Sequence, residues 1–159
     1  EGNRQTMALG MTMSELTNVK KYRPNYELWK SVSTPGEQPD EYVLKNIKGE
    51  RHFGETPVEM ARDVLRFSEE ALAVIKKAGE SVTKNREEYE RYVTDIQATR
   101  LICQVYAKKV EAAVKVLTYK YTMDEELKGD VSILEAARED LKESLELYRK
   151  LAEIGRAHV

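Results

Sequence analysis

From Val58 to Lys150 the chain has no proline, and only Gly79 and Gly129 interrupt it. With both helix breakers that scarce, the stretch is free to run as helix, and apolar residues three and four apart say that it does. Two glycines cut it into three helices, the middle one long. Other scarcities narrow function. The single cysteine, Cys103, excludes an internal disulfide and at a helical core position reads as a small buried hydrophobe. With only His52 and His158 there is no His-x-x-x-His, no Glu-x-x-His and no cysteine cluster, so no metal centre of the di-iron bundle kind is expected. No glycine-rich loop of the phosphate-cradling type occurs, and no cofactor is expected. No apolar run approaches the roughly 18 residues of a membrane span. A formal net charge of -2 supplies no basic field for nucleic acid.

What is present is 159 residues, 41% hydrophobic and 34% charged, the balance of one surface-charged helical domain with a core. Residues 1 to 56 differ from the rest. They hold Pro24, Pro35 and Pro39, five of the eight glycines and the only tryptophan, Trp29. This is a loop-rich arm with helical turns over Met11 to Lys21 and Asn25 to Lys30. A short helix is expected over Pro39 to Lys48, because proline suits the first helical position.

The long helices carry their own start signals. Thr56, Pro57 and Glu59 form a capping box ahead of the stripe Val58, Ala61, Leu65, Leu72, Ile75, with Ser68 filling one turn. Gly79 is expected to end this helix in a left-handed conformation. Asn85 and Glu88 open the second, which nothing stops before about Tyr121. Its seam runs Tyr89, Tyr92, Ile96, Thr99, Cys103, Tyr106, Val110, Ala113, Leu117. A second set, Leu101, Ile102, Val105, Ala112, Val116 and Tyr119, widens the apolar arc, so this helix has more than one partner. Ser132 and Glu135 open the third, with stripe Leu134, Ala137, Leu141, Leu145, Tyr148, Leu151 and surface pairs such as Glu139 with Lys142 and Glu146 with Lys150. The expected fold is all-α: an antiparallel three-helix up-down-up bundle over 57–152, or an incomplete four-helix bundle, behind the arm of 1–56.

Chemistry is harder to find. Glu69-Glu70, Glu87-Glu88 and Asp124-Glu125-Glu126 are paired acids, the equipment of glycoside hydrolysis, yet none lies on an apolar stripe where burial would tune it. They read as surface charge. Among the nine tyrosines, Tyr89, Tyr92, Tyr106 and Tyr148 sit on seams, as buried rings with the hydroxyl at the edge. In the arm, Tyr22, Tyr26, Trp29 and Tyr42 are flat amphipathic rings of the kind that stack on a sugar, although packing on the bundle or an adjoining domain is the commoner use. The ligand-binding candidates are Tyr26, Trp29 and His52, the last also suited to a structural role before the Gly54-Glu55-Thr56-Pro57 turn.

The two ends read as incomplete. The chain opens at Glu1 without an initiator methionine, which fits a processed chain, an excised domain or an incomplete reading frame. One codon choice for Glu153 to Val159 resembles a sequencing-library adapter read in frame. Residues 153–159 are therefore expected to be a non-native tail, and His158 carries no functional weight.

Tyr22-Arg23-Pro24, Trp29-Lys30, Pro35-Gly36-Glu37-Gln38 and Gly54-Glu55-Thr56-Pro57, followed by the tyrosine-rich central helix and Leu147 to Arg149, carry a resemblance. The whole resembles a helical region near the C-terminal side of large bacterial carbohydrate-active proteins, secreted or periplasmic and glycoside-hydrolase-like. The resemblance implies an extracytoplasmic parent, a catalytic domain before Glu1 and no active-site residue in this stretch. The expected role is then a non-catalytic helical module whose partners are the adjacent domain and carbohydrate. The alternative is a free-standing interaction module that captures a partner through Leu101, Val105, Ala112 and Val116.

Overall fold

The computed structural model describes residues 36–124 and 130–157. Within them the chain is all-α, with four helices: α1 (Pro39–Lys48), α2 (Pro57–Ala78), α3 (Arg86–Asp124) and α4 (Val131–Ala157). The expected turns over Met11 to Lys21 and Asn25 to Lys30 lie outside the described residues, as does Gly129.

Helix α1 starts where Pro39 predicts, and the Gln38 amide is taken up by Glu41 Oε2 at 3.0 Å. Gly49 closes it at φ 66°, a conformation that costs a glycine nothing, and the Glu50 amide then reaches back to the Lys45 carbonyl at 2.9 Å. The Thr56–Glu59 capping box of α2 is present in both directions, each bond 3.2 Å. The end of α2 differs from expectation. Gly79 sits at φ -59°, ψ -25° and runs on into a 3₁₀ turn, Gly79–Ser81, so it is not a left-handed cap. Glycine is needed there for another reason: a Cβ would overlap the Tyr89 hydroxyl, which donates to the Ile75 carbonyl at 3.0 Å.

Asn85 stands where expected, just before Arg86, with its carbonyl accepting the Tyr89 amide at 3.1 Å, but at φ 53°, a left-handed conformation that asparagine tolerates. Helix α3 then runs 39 residues, about 58 Å at 1.5 Å per residue. The start of α4 is also shifted. Asp130, not Ser132, accepts the exposed amide, with the Ser132 N–H 2.9 Å from its Oδ1. The Ser132 hydroxyl, and then that amide bond, hold the Asp130 carboxyl below the usual range.

Helix α3 is the common support, since α1, α2 and α4 each pack along it while α2 and α4 barely meet. Both long neighbours run antiparallel to it. Tyr89 lies against Ile75 and Tyr106 against Met60 on the α2 side; Lys108 meets Glu143, and Lys115 meets Asp140, on the α4 side. The described chain is thus an open layer of three long antiparallel helices with α1 added, and its four helices fit the expected incomplete four-helix bundle better than the three-helix one.

The core lies at one end. Ala61, Ala107 and Val110 form its centre with Leu65, Tyr106 and Val114 against them, and Val43, Val110 and Leu117 are fully buried. Each such aliphatic side chain contributes about 1.5–3 kcal/mol. Between Arg86 and Gln104, by contrast, no residue of α3 is buried. Val105 and Ala112 are buried inside this chain's own core, which removes them from the docking surface expected of a free-standing interaction module. The α4 stripe is rotated as well: Ala137, Asp140 and Ser144 face inward, while Leu145 and Tyr148 are about half exposed. Cys103 is half-buried rather than enclosed.

Candidate functional site

The densest polar constellation gathers around Glu37, whose side chain is only 4% exposed. The chain reaches it through one bridge: the Glu37 amide donates to the Glu55 carbonyl at 2.8 Å, laying Gly36 beside the segment that leads into α2. Helix α1 contributes Lys45, whose ammonium donates to Glu37 Oε1 at 2.6 Å, and the Phe53 amide donates to the same oxygen at 2.8 Å. His52 Nδ1 lies 2.6 Å from Oε2. An ionised carboxylate only accepts, so this nitrogen is the donor. The other ring nitrogen faces the Asn46 amide at 3.2 Å, and the ring stacks on Tyr42 with centroids 4.7 Å apart.

Electrostatics decide what Glu37 can do. Burial alone pushes its pKa up, but the bonds from Lys45, the Phe53 amide and His52 outweigh it and bring the group down to about 2. Such a carboxyl carries no proton to donate near neutrality, and both of its oxygens are engaged. It is a clamp holding α1 to the 50–55 segment. His52 is likewise committed through both nitrogens, so its structural role, not a ligand contact, is what the geometry shows. The other two candidates, Tyr26 and Trp29, lie outside the described residues.

A second constellation bridges α3 and α4. Asp140, buried on the inner face of α4, accepts from Lys115, and Lys108 stands 3.5 Å from its other oxygen. Lys108 also bonds Glu143 and Glu111, each at 3.0 Å, and these bonds hold it above the usual lysine range. Here too the carboxylate is neutralised by cations rather than poised for proton transfer.

Sequence reasoning missed both buried acids. Asp140 carried a usable signal, lying three residues after Ala137 and four before Ser144 on the inner face, with Lys108 and Lys115 a heptad apart on α3. Of the acids expected on the surface, Glu69, Glu70, Glu87 and Glu88 are exposed, Glu69 pairing with Arg100 and Glu70 with Arg66, each at 3.3 Å, while Glu125 and Glu126 lie outside the described residues. Of the expected α4 pairs, Glu139 meets Lys142 at 2.6 Å, while Glu146 takes Arg149. Tyr89 and Tyr106 are partly buried with hydroxyl partners, whereas Tyr92 and Tyr148 stand about half in solvent, contrary to their seam assignment.

Among the described residues no group of three His, Cys, Asp or Glu is placed to hold a metal ion, and no helix is long and apolar enough to cross a membrane. An open depression between α3 and α4, lined by Arg91, Thr94, Asp95, Ala98, Leu151, Ile154 and Gly155, has Asp95 as its one carboxylate, and its one hydroxyl, on Thr94, donates to the Glu90 carbonyl at 2.9 Å.

No family model matches the chain, and no curated protein matches it. A solved structure described as a GH138 enzyme targeting pectin rhamnogalacturonan II is similar in both fold and sequence, with a TM-score of 0.85 and 34% identity. The match takes in 97% of this chain and 21% of that one. The chain therefore spans about a fifth of that enzyme's length.

Proposed function

We propose that this chain is a non-catalytic helical module of a larger carbohydrate-processing protein, extracytoplasmic and related in design to the GH138 enzyme it resembles. One observation carries the reading: nearly the whole chain matches a fifth of a pectin-directed enzyme at 34% identity, as a part matches its whole. The site chemistry supports it. Both buried carboxylates, Glu37 and Asp140, are neutralised by lysines, and Glu37 is further tied by a backbone amide and an imidazole. They hold helices together. The module's work is mechanical, supporting a neighbouring domain.

A graft tests this directly. The chain is exchanged for the matching fifth of the GH138 enzyme, and hydrolysis of rhamnogalacturonan II is followed by release of oligosaccharides. Retained activity in the hybrid, with none from the isolated chain, is expected. Turnover by the isolated chain would overturn the non-catalytic reading, and an unfolded hybrid would overturn the equivalence of the two regions.

A further inference from the structure

Nine large apolar side chains among the described residues stand in solvent; six of them, all but Phe53, Met123 and Val131, fall on one side of the helical layer. Met60, Phe67 and Val74 on α2, Tyr92 on α3, and Leu145 and Tyr148 on α4 expose between 43% and 68% of their surface. Ion pairs orient the layer. Arg100, Gln104, Lys108, Glu111 and Lys115 form one stripe of α3, joined to Glu69 on α2 and to Asp140 and Glu143 on α4. At about 100° per residue, Glu69 stands some 80° to one side of the inner row of α2, and Met60, Phe67 and Val74 about 120° to the other. On α4, Glu143 lies about 90° to one side of the inner row, and Tyr148 and Leu145 about 50° and 110° to the other. Both apolar rows therefore turn away from the ion-pair stripe. Tyr92 and Tyr106 stand about 120° to 160° around α3 from that stripe. The Tyr106 hydroxyl, 3.5 Å from Met60 Sδ, ties this side of α3 to the α2 row.

We propose that residues 1–35 of the same chain dock on this face and supply its missing cover. The described chain begins at Gly36, beside Glu55 and about one helical turn before Met60, so the segment enters at the near end of the α2 row. From Met60 to Val74 is about 21 Å along α2, and 35 residues span more than twice that even as helix. The segment carries large apolar residues to place on it, among them Met11, Leu16, Tyr22, Tyr26, Leu28 and Trp29. Its charge is complementary. Five basic against three acidic residues give it +2, which with -2 for the whole leaves -4 on the remainder. The match to the GH138 enzyme, covering 97% of this chain, extends beyond residues 36–159 and so includes most of this segment in the matched unit. Large apolar side chains gathered on one side in this way are ordinarily covered in the working molecule.

Trp29, the only tryptophan, makes the full chain its own reporter. Its emission is expected at shorter wavelength than that of a free indole, with slow acrylamide quenching. Phe67→Asp and Tyr148→Asp should each shift it to the red and raise the quenching rate several-fold at unchanged far-UV circular dichroism. Lys142→Glu, whose lysine is exposed and pairs only with Glu139 on its own helix, should change nothing. Solvent-like Trp29 in the parent chain would assign the face to a neighbouring domain and sink the proposal. Shielding that disappears on dilution would assign it to a second copy, and shielding indifferent to both substitutions would place Trp29 elsewhere. If Phe67→Asp lowers the helical signal, Tyr148→Asp alone decides.

Discussion

Replacing Glu37 by glutamine keeps the shape of the clamp and removes its charge. In the native chain Lys45, the Phe53 amide and His52 Nδ1 all donate to the carboxylate, and a glutamine can offer one carbonyl oxygen to three donors while turning an NH₂ toward at least one of them. The magnitude follows from linkage. A carboxyl lowered from 4.5 to about 2 stabilises the fold by about 3 kcal/mol when ionised, in line with the cost of breaking one partner out of a buried ion pair. The fall in melting temperature is then about 6–12 °C. The sign in pH is equally specific. Between pH 4.5 and about 2 the unfolded chain binds the proton and the folded one does not, so this contribution is complete above 4.5 and disappears as pH falls through that window. Urea unfolding of parent and Glu37→Gln chains across a pH series should give curves that meet near pH 2, separate as pH rises to 4.5 and stay apart by a constant amount above it. Parallel curves would refute the assignment of the clamp to the ionised carboxylate. Hydrogen exchange adds a local readout, because α1 and residues 50–55 should open first in the variant.

Three further outcomes follow from the packing. Gly79→Ala should destabilise by about 1–2 kcal/mol by displacing the Tyr89 hydroxyl from Ile75, and the same change in a Tyr89→Ala background should instead stabilise by about 0.5–1 kcal/mol through helix propensity, as a double-mutant cycle will read. Asp140→Asn should cost about 1–2 kcal/mol in thermal unfolding, and Asp140→Leu less, because Lys108 and Lys115 are about a third exposed and can turn to water. Val105→Asp buries an unpaired carboxylate at a 4%-exposed site and should unfold the monomer, with loss of helical circular dichroism; a folded monomer would return Val105 to a docking surface.

The helices were legible where local chemistry is self-sufficient. Thr56, Pro57 and Glu59 place the start of α2 within one turn of chain, and Pro39 does the same for α1. The inner row of α2, Ala61, Leu65, Ser68, Leu72 and Ile75, also faces α3 as its spacing demands. Spacing failed on α4, because the inner positions are small or charged: Asp140 and Ser144 look like surface residues until Lys115 and Lys108 arrive from another helix. It failed at Gly79 because the need for glycine comes from the Tyr89 ring, ten residues on. Glu37 was unreadable for a similar reason. Its three donors come from α1 and from residues 52–53, and nothing in Pro35-Gly36-Glu37-Gln38 announces them.

By itself, then, the sequence determined that this protein is helical, where its long helices begin, and that it lacks the patterned equipment of metal, phosphate and nucleophile chemistry. Those are properties of neighbouring residues, governed by backbone preference and periodicity. Only the tertiary structure decided that the helices lie open along α3, that Glu37 and Asp140 are buried and neutralised, and that six large apolar side chains of the described residues share one side of the layer. Each of those depends on which surfaces of distant segments meet, and a helical repeat specifies a face without naming what will cover it.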